Sequence, residues 1–89
     1  MIIIKSSTTE EIFTSKANVA AVLLVGGTAN SSVALNDNAS GSGTDKIKLK
    51  ALANTSESIV FSKDRPVVFD TAIYSTIAGS GAEVYIYLD

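Results

Sequence analysis

Apolar and polar residues alternate with a period of two in two stretches of the chain. Residues 46–51 alternate lysines with apolar residues, and residues 84–88 alternate aliphatic residues with Tyr85 and Tyr87. Successive side chains of a β-strand point to opposite faces of the sheet, so this alternation is typical of a strand with one face against the core. The pattern predicts two strands, whose apolar sets are Ile47, Leu49 and Ala51 in the first and Val84, Ile86 and Leu88 in the second.

The longest uninterrupted apolar run, residues 19–25, ends at Gly26 and Gly27. It is too short to cross a bilayer, which takes about 20 residues. The run suits either a strand buried on both faces or a short buried helix that begins at Ser15 and ends at Gly26. We favour the strand, because the run is rich in β-branched Val and the segments that follow it have strand patterns.

Short apolar segments continue this pattern on both sides of the central run. Residues 2–5 predict an edge strand or a clasp onto a neighbour, and residues 32–35 predict the partner strand of a hairpin. Residues 36–44 are rich in Asn, Asp, Ser and Gly and form the longest predicted loop. A tight hairpin loop is predicted at 78–82, and further strands at 12–14, 58–62, 67–70 and 72–77.

These segments amount to about eight short strands separated by regular turns, with no long helical pattern. The predicted fold is all-β: one domain over residues 1–89, built as a small antiparallel β-sandwich (jelly-roll-like) or a compact barrel. Residues 1–9 are a possible N-terminal arm. A chain of this size buries only about 60–65% of its unfolded surface, so oligomerisation is expected to add stability.

Composition narrows the range of functions. The net charge is −2 and there is no basic block, so no nucleic-acid partner is expected. The lysines of residues 46–50 are interpreted as a solvated strand face. The chain contains no cysteine and no histidine, which excludes disulfides, Ser-His-Asp and Cys-His catalysis and the usual zinc sites. The N-terminal residues lack the features of a signal peptide, so we expect synthesis in a cytoplasm and no membrane partner.

The acidic residues offer little candidate chemistry. Their spacing singles out no pair of the kind that glycosidases use. Residues 36–41 superficially resemble the start of a calcium-binding loop, but Ile47 stands at the twelfth position, where Glu is required. A looser calcium site at Asp37 and Asp45 is conceivable, although turn chemistry is the better explanation of both. We predict a protein without enzymatic activity, metal or cofactor.

Tyr74, Tyr85 and Tyr87 carry the aromatic rings that end in a polar group. On an outer face such rings could stack on sugars or anchor a protein interface. Packing across neighbouring strands is the simpler interpretation, and we favour it.

Five segments carry a resemblance when they are taken in order: VLLVGG at 22–27, VALND at 33–37, GSGTDK at 41–46, PVVFDTAIY at 66–74 and IAGSGAEVYIY at 77–87. Together they resemble a group of small all-β proteins encoded among the virion structural genes of tailed bacteriophages. In that group a strand ending in Gly-Gly precedes an acidic Gly/Ser loop, and a Gly-x-Gly-Ala turn leads into an alternating aromatic strand. The resemblance covers roughly residues 19–88, with Ala72 standing where Gly is expected.

The resemblance implies a non-enzymatic virion protein, most specifically a capsid decoration (cement) protein, or else a small neck, tail or fibre component. It implies a homo-oligomer, with a trimer favoured, that contacts the major capsid protein or other virion proteins. We hypothesise that the N-terminal segment pairs with a neighbouring subunit or with the shell. A carbohydrate-binding or host-attachment module that uses the three tyrosines and the 36–45 loop is the alternative. The candidate interface residues are Ile2, Ile3, Ile4, Tyr74, Tyr85 and Tyr87.

Overall fold

The computed structural model describes residues 2–62 and 64–89, and within them the regular structure is entirely β. This confirms the predicted fold class and the strand at the central apolar run. The strands are β1 (Ile2–Ser6), β2 (Glu10–Phe13), β3 (Ala17–Val25), β4 (Ser31–Asn36), β5 (Asp45–Ala51), β6 (Ser56–Val60), β7 (Val67–Phe69), β8 (Ile73–Ala78) and β9 (Glu83–Leu88).

The strands form two antiparallel sheets. The five-stranded sheet has the order β1-β9-β3-β6, with β7 also paired to β3, and the four-stranded sheet has the order β2-β8-β4-β5. Along the chain the pairs are β1 with β9, β2 with β8, β3 with β6 and β7, and β4 with β5, and successive pairs alternate between the sheets. This is the strand order of a jelly roll, so the sandwich rather than the closed barrel is the correct form of the prediction.

The core lies between the two sheets and consists of aliphatic side chains around Phe69. The inward residues of β5 and β9 are those that the alternation predicts. In β3 the buried residues are Ala17, Val19, Val22 and Leu24. Val19 and Val22 are three residues apart rather than two, because the register with β9 shifts between Val19 and Ala21. This β-bulge moves the alternation by one residue. The Ala20 carbonyl at the bulge accepts a hydrogen bond from the Phe61 N–H at 2.9 Å.

Two predicted hairpins are wrong. β4 does not pair with β3; it crosses to the four-stranded sheet and pairs with β5 and β8. The turn at 79–82 likewise carries the chain from β8 in one sheet to β9 in the other. It is tight, with the Ala82 N–H donating to the Gly79 carbonyl at 3.2 Å. Short connections of this kind read as hairpins in the sequence, but in a jelly roll many of them join different sheets.

Two glycines end β3 because two turns pack directly against the backbone there. The Gly26 N–H donates to the Thr55 carbonyl at 2.7 Å, and the Asn54 N–H donates to the Gly27 carbonyl at 2.8 Å. From the other side the Ser80 carbonyl approaches Gly27, where a Cβ would lie 1.9 Å from that oxygen. The absence of a side chain is therefore needed for close approach of backbones.

The long loop between β4 and β5 is held by side chains at its base. The Asn36 side-chain amide donates to the Gly43 carbonyl and to Asp45 Oδ1, both at 2.8 Å, and its Oδ1 accepts from the Gly43 N–H at 2.9 Å. Asp37 accepts hydrogen bonds from the backbone N–H groups of Asp70 and Thr71, at 3.0 and 2.9 Å. These bonds tie the loop to the connection between β7 and β8, which joins the two sheets.

Candidate interaction surface

The outer face of the five-stranded sheet carries a row of apolar side chains that runs from one edge of the sheet to the other. Residues directly opposite each other on neighbouring strands lie on the same face. The register sets Ile3 opposite Tyr87, Tyr87 opposite Ala21, and Ala21 opposite Val60. The neighbours of Tyr87 along β9 are the buried Ile86 and Leu88, so this row points away from the core. We call Ile3, Tyr87, Ala21 and Val60 the apolar row.

A second row on the same face begins with Lys5 and continues through Tyr85 and Leu23 to Ser58. Lys5 Nζ lies 2.9 Å from Glu83 Oε2, and the Tyr85 hydroxyl donates to the same oxygen at 3.3 Å. The hydrogen bond and the charge of Lys5 lower the pKa of Glu83, and those of Glu83 raise the pKa of Lys5. The polar groups of this row therefore satisfy one another, while the ring of Tyr85 and the side chain of Leu23 remain half-buried.

A concave region of about 660 Å³ interrupts the apolar row at its smallest residue. Ala20 and Ala21, with their small side chains, line it together with Tyr87, Val60 and Phe61. Asp89 and Ser58 supply the polar part of its lining. The face is therefore apolar and contains a depression, and this shape suits the insertion of a side chain from a partner protein.

The structure brings three of the predicted interface residues together. Ile3, Tyr85 and Tyr87 share the outer face of the five-stranded sheet. Ile4 instead packs partly buried against the core, and Ile2 lies opposite the inward Leu88 at the sheet edge. Within the predicted arm at 1–9, Met1 lies outside the described residues, and Ile2–Ser6 form β1, which pairs with β9 of the same chain. Its contact with a neighbouring subunit or a shell stays a prediction.

Tyr74 is separated from the other tyrosines. It lies in β8 of the four-stranded sheet, opposite Glu11 and Asn36, and its ring packs beneath the backbone of Gly41 in the long loop. A Cβ on Gly41 would lie 2.9 Å from Tyr74 Cδ1. A single sugar site that combines Tyr74, Tyr85 and Tyr87 with the 36–45 loop is therefore not formed, since the rings lie on different sheets.

Sequence reasoning missed Ala21, Leu23 and Val60 as surface residues. Val60 lies in the strand predicted at 58–62, for which the sequence does not indicate which side chains point inwards. Ala21 and Leu23 belong to the run that is predicted to be buried on both faces. The bulge at Ala20 decides which residues of this run point outwards. The strong alternation of β9 was a usable signal, because strands paired with β9 must repeat its inward and outward faces.

The carboxylates of the described residues do not gather into a metal-binding group. No group of three or more potential ligand residues comes together in this part of the chain. Asp37 binds two backbone N–H groups and lies 3.3 Å from Lys46 Nζ, and these interactions, the backbone bonds first, lower its pKa to about 2. Asp45 binds the Asn36 side chain. Both residues of the conceivable calcium site therefore have local structural partners.

No helix of residues 2–62 and 64–89 is long and apolar enough to span a membrane. Comparison of the chain with protein-family models, with curated proteins and with solved structures gives no match.

Proposed function

We propose that the protein is a non-enzymatic structural protein of a virion, most specifically a capsid decoration protein that binds the head of a tailed bacteriophage. The observation that carries the proposal is the apolar row across the outer face of the five-stranded sheet. This face presents the half-buried side chains of Leu23, Tyr85 and Tyr87. At the two edges of the sheet it presents the exposed Ile3 and Val60. It suits binding of another protein surface.

The fold favours a mechanical role of this kind. Jelly rolls occur in both viral capsid proteins and lectins, so the fold alone is compatible with a capsid role and with a carbohydrate-binding role. The chemistry of the outer face has to distinguish between the two roles. A decoration protein has to hold its shape while it binds across the joints of a shell under internal pressure. The side-chain bonds of Asn36 and Asp37 bind the longest loop to the body of the domain, which provides such rigidity.

The apolar face supplies the binding energy in this proposal. Removing apolar surface from water contributes about 25 cal/mol per Å². The central residues of the face, Leu23 and Tyr87, lie on β3 and β9 in the middle of the sheet, where a partner would exclude water most completely. Residues in that position carry most of the affinity in protein interfaces, and tyrosine is enriched among them.

Copy number tests the virion role directly. We expect quantitative mass spectrometry of purified particles of the phage that encodes the chain to give a stoichiometry equal to, or a simple fraction of, that of the major capsid protein. A handful of copies for each particle would move the protein to the neck, tail or fibre. Absence from the particle would refute the virion role.

Variants on the central strands test the face itself. We expect Leu23→Glu and Tyr87→Glu to lower the affinity for particles that lack the protein by at least about tenfold, because each places a charge in the buried interface. Thr76→Glu is the matched control, since Thr76 is exposed in the middle of the opposite sheet. Equal binding of all three variants would show that another surface is used.

A glycan-binding role is the second candidate, and one observation favours it. Tyr87 borders the concave region together with Ser58 and Asp89, which gives an aromatic ring beside hydrogen-bonding groups. Sugars bind to such combinations through their apolar ring faces and their hydroxyls. A glycan-array signal that is lost in Tyr87→Ala and kept in Tyr74→Ala would support this role, and no glycan binding by the native chain would exclude it.

A further inference from the structure

We propose that copies of this chain associate side by side, with β1 and β2 of one copy against β6 and β5 of the next. The contact joins two different edges of the sandwich, so it is heterologous rather than two-fold symmetric. The proposal concerns self-association and does not depend on a virion role. It rests on the apolar residues, the charges and the strand directions at the two edges.

The jelly-roll order places matching strands of the two sheets on the same side of the molecule. β1 and β2 are edge strands of the two sheets, joined by residues 7–9, and the Ser6 hydroxyl of β1 donates to Glu10 Oε1 of β2 at 3.0 Å. β6 and β5 are the edge strands on the opposite side, joined by residues 52–55. We call the edge formed by β1 and β2 the β1–β2 side, and the edge formed by β5 and β6 the β5–β6 side.

The exposed large apolar residues of the described chain are confined to these two sides. Ile2 and Ile3, on the β1–β2 side, are 53% and 59% exposed. On the β5–β6 side Leu52, Ile59 and Val60 are 68%, 37% and 77% exposed. Large apolar residues that share two opposite edges are typical of surfaces that become buried by association. Since both edges carry them, one edge can cover the other.

The four-stranded sheet adds charge complementarity between the same two sides. β5 presents Lys48 and Lys50 on its outward face, and β2 presents Glu11 on its outward face, opposite Tyr74. Glu10, opposite the buried Ser75, is also exposed at this edge. A contact of β5 with β5 would set lysine near lysine, and a contact of β2 with β2 would set glutamate near glutamate, both of which are unfavourable. A contact of β2 with β5 pairs opposite charges. The charges thus select the heterologous contact over its two-fold alternatives.

Strand directions agree with this contact. Along each sheet every pair is antiparallel, so β1 runs opposite to β6, and β2 runs opposite to β5. A rotation about an axis parallel to the strands keeps their directions, and it brings β6 of one copy antiparallel to β1 of the next. The register that sets Ile3 opposite Val60, both outward, also sets Ile4 opposite Ile59, both inward. Repeated contacts of this kind close into a ring when the rotation permits.

The first experiment compares the mass of the native chain in solution with that of two edge variants, Ile3→Glu and Val60→Glu, by sedimentation velocity. We expect a discrete oligomer of at least three copies for the native chain and monomers for both variants, because every contact needs one intact edge of each kind. Thr76→Glu, in the middle of the four-stranded sheet, is the control and should assemble like the native chain. Circular dichroism and the thermal midpoint establish that each variant is folded.

Mixing the two variants distinguishes a heterologous contact from a symmetric one. Ile3→Glu keeps an intact β5–β6 side and Val60→Glu keeps an intact β1–β2 side, so an equimolar mixture should form a one-to-one dimer that grows no further. If Ile3→Glu does not fold, Glu11→Lys blocks the same side and replaces it in the mixture. A monomeric native chain, a mixture that stays monomeric, or loss of assembly with only one of the two edge variants would overturn the proposal.

Discussion

Ser75 lies in β8 with no exposed surface, and its hydroxyl is the one buried side-chain polar atom of the described residues without a hydrogen-bond partner. A buried polar group without a partner keeps the cost of leaving water. We therefore expect Ser75→Ala to raise the free energy of unfolding by about 1 kcal/mol, because alanine keeps most of the volume and removes the hydroxyl. Urea denaturation measures the change.

Ser31→Ala is the matched control for that prediction. Ser31 is also buried, but its hydroxyl donates to the Ala29 carbonyl at 3.0 Å and accepts from the Gly27 N–H at 3.4 Å. Its removal should lower the free energy of unfolding by about 1 kcal/mol. Changes of the same sign in the two variants would contradict the explanation by hydrogen-bond satisfaction.

Asp37 should give the stability of the protein an acid-dependent component. Its pKa falls from 3.8 to about 2 on folding, so the unfolded chain binds the proton more strongly. Lowering the pH through that window therefore favours unfolding, and the contribution of Asp37 is fully present only above the unfolded pKa. We expect the difference in stability between the native chain and Asp37→Asn to be largest near neutral pH and to shrink between about pH 4 and pH 2.

The comparison with Asp37→Asn isolates this carboxylate, because the other acidic groups titrate in both proteins. Denaturation curves recorded at several pH values provide the difference. A difference that stays constant down to pH 2 would contradict the prediction. It would mean that the hydrogen bonds from the Asp70 and Thr71 N–H groups stabilise the fold equally whether Asp37 is charged or protonated.

At the scale of elements, Gly27 marks the point where β3, the turn at 52–55 and the turn at 79–82 meet. A methyl group at Gly27 would collide with the Ser80 carbonyl and with the Gly81 backbone, at 1.9 Å and 2.6 Å. Backbone atoms cannot move aside as the end of a flexible side chain can. We expect Gly27→Ala to lower the free energy of unfolding by at least about 2 kcal/mol. Thr28→Ala, an exposed neighbour, should change it by less than about 0.5 kcal/mol. Thermal or urea denaturation of both variants is the measurement.

The strands themselves could be predicted from the sequence, whereas their partners could not. Alternation in β5 and β9 identifies inward residues such as Ile47 and Ile86 because one face of each strand meets the core. Pairing depends on which sheet receives the next strand, and a short turn such as 79–82 is compatible with either outcome. The bulge at Ala20 is also invisible in the sequence, since it arises from the register with β9.

At the scale of the whole molecule, the candidate surface could be predicted in part. Ile3, Tyr85 and Tyr87 were found from their chemistry, because exposed isoleucines and tyrosines need a reason to be at a surface. Val60 and Ala21 were missed because their places follow from sheet order, which brings β6, β3, β9 and β1 side by side. Tyr74 carries the same kind of ring as the other two tyrosines, so residue chemistry alone groups them, although the fold puts Tyr74 in the other sheet.

The jelly-roll order also has a consequence for the rate and order of folding. Among the strands of residues 2–62 and 64–89, only β4 and β5 are partners that follow each other directly in the chain. Each successive pair, ending with β1 and β9, closes a longer segment. Bringing distant segments together costs loop entropy before contacts repay it, so folding is expected to be slow and to begin at the β4–β5 hairpin. The Asn36 bonds then belong to the earliest structure. We therefore expect β1, with its exposed Ile2 and Ile3, to be the last strand to pair during folding and the first to detach during unfolding.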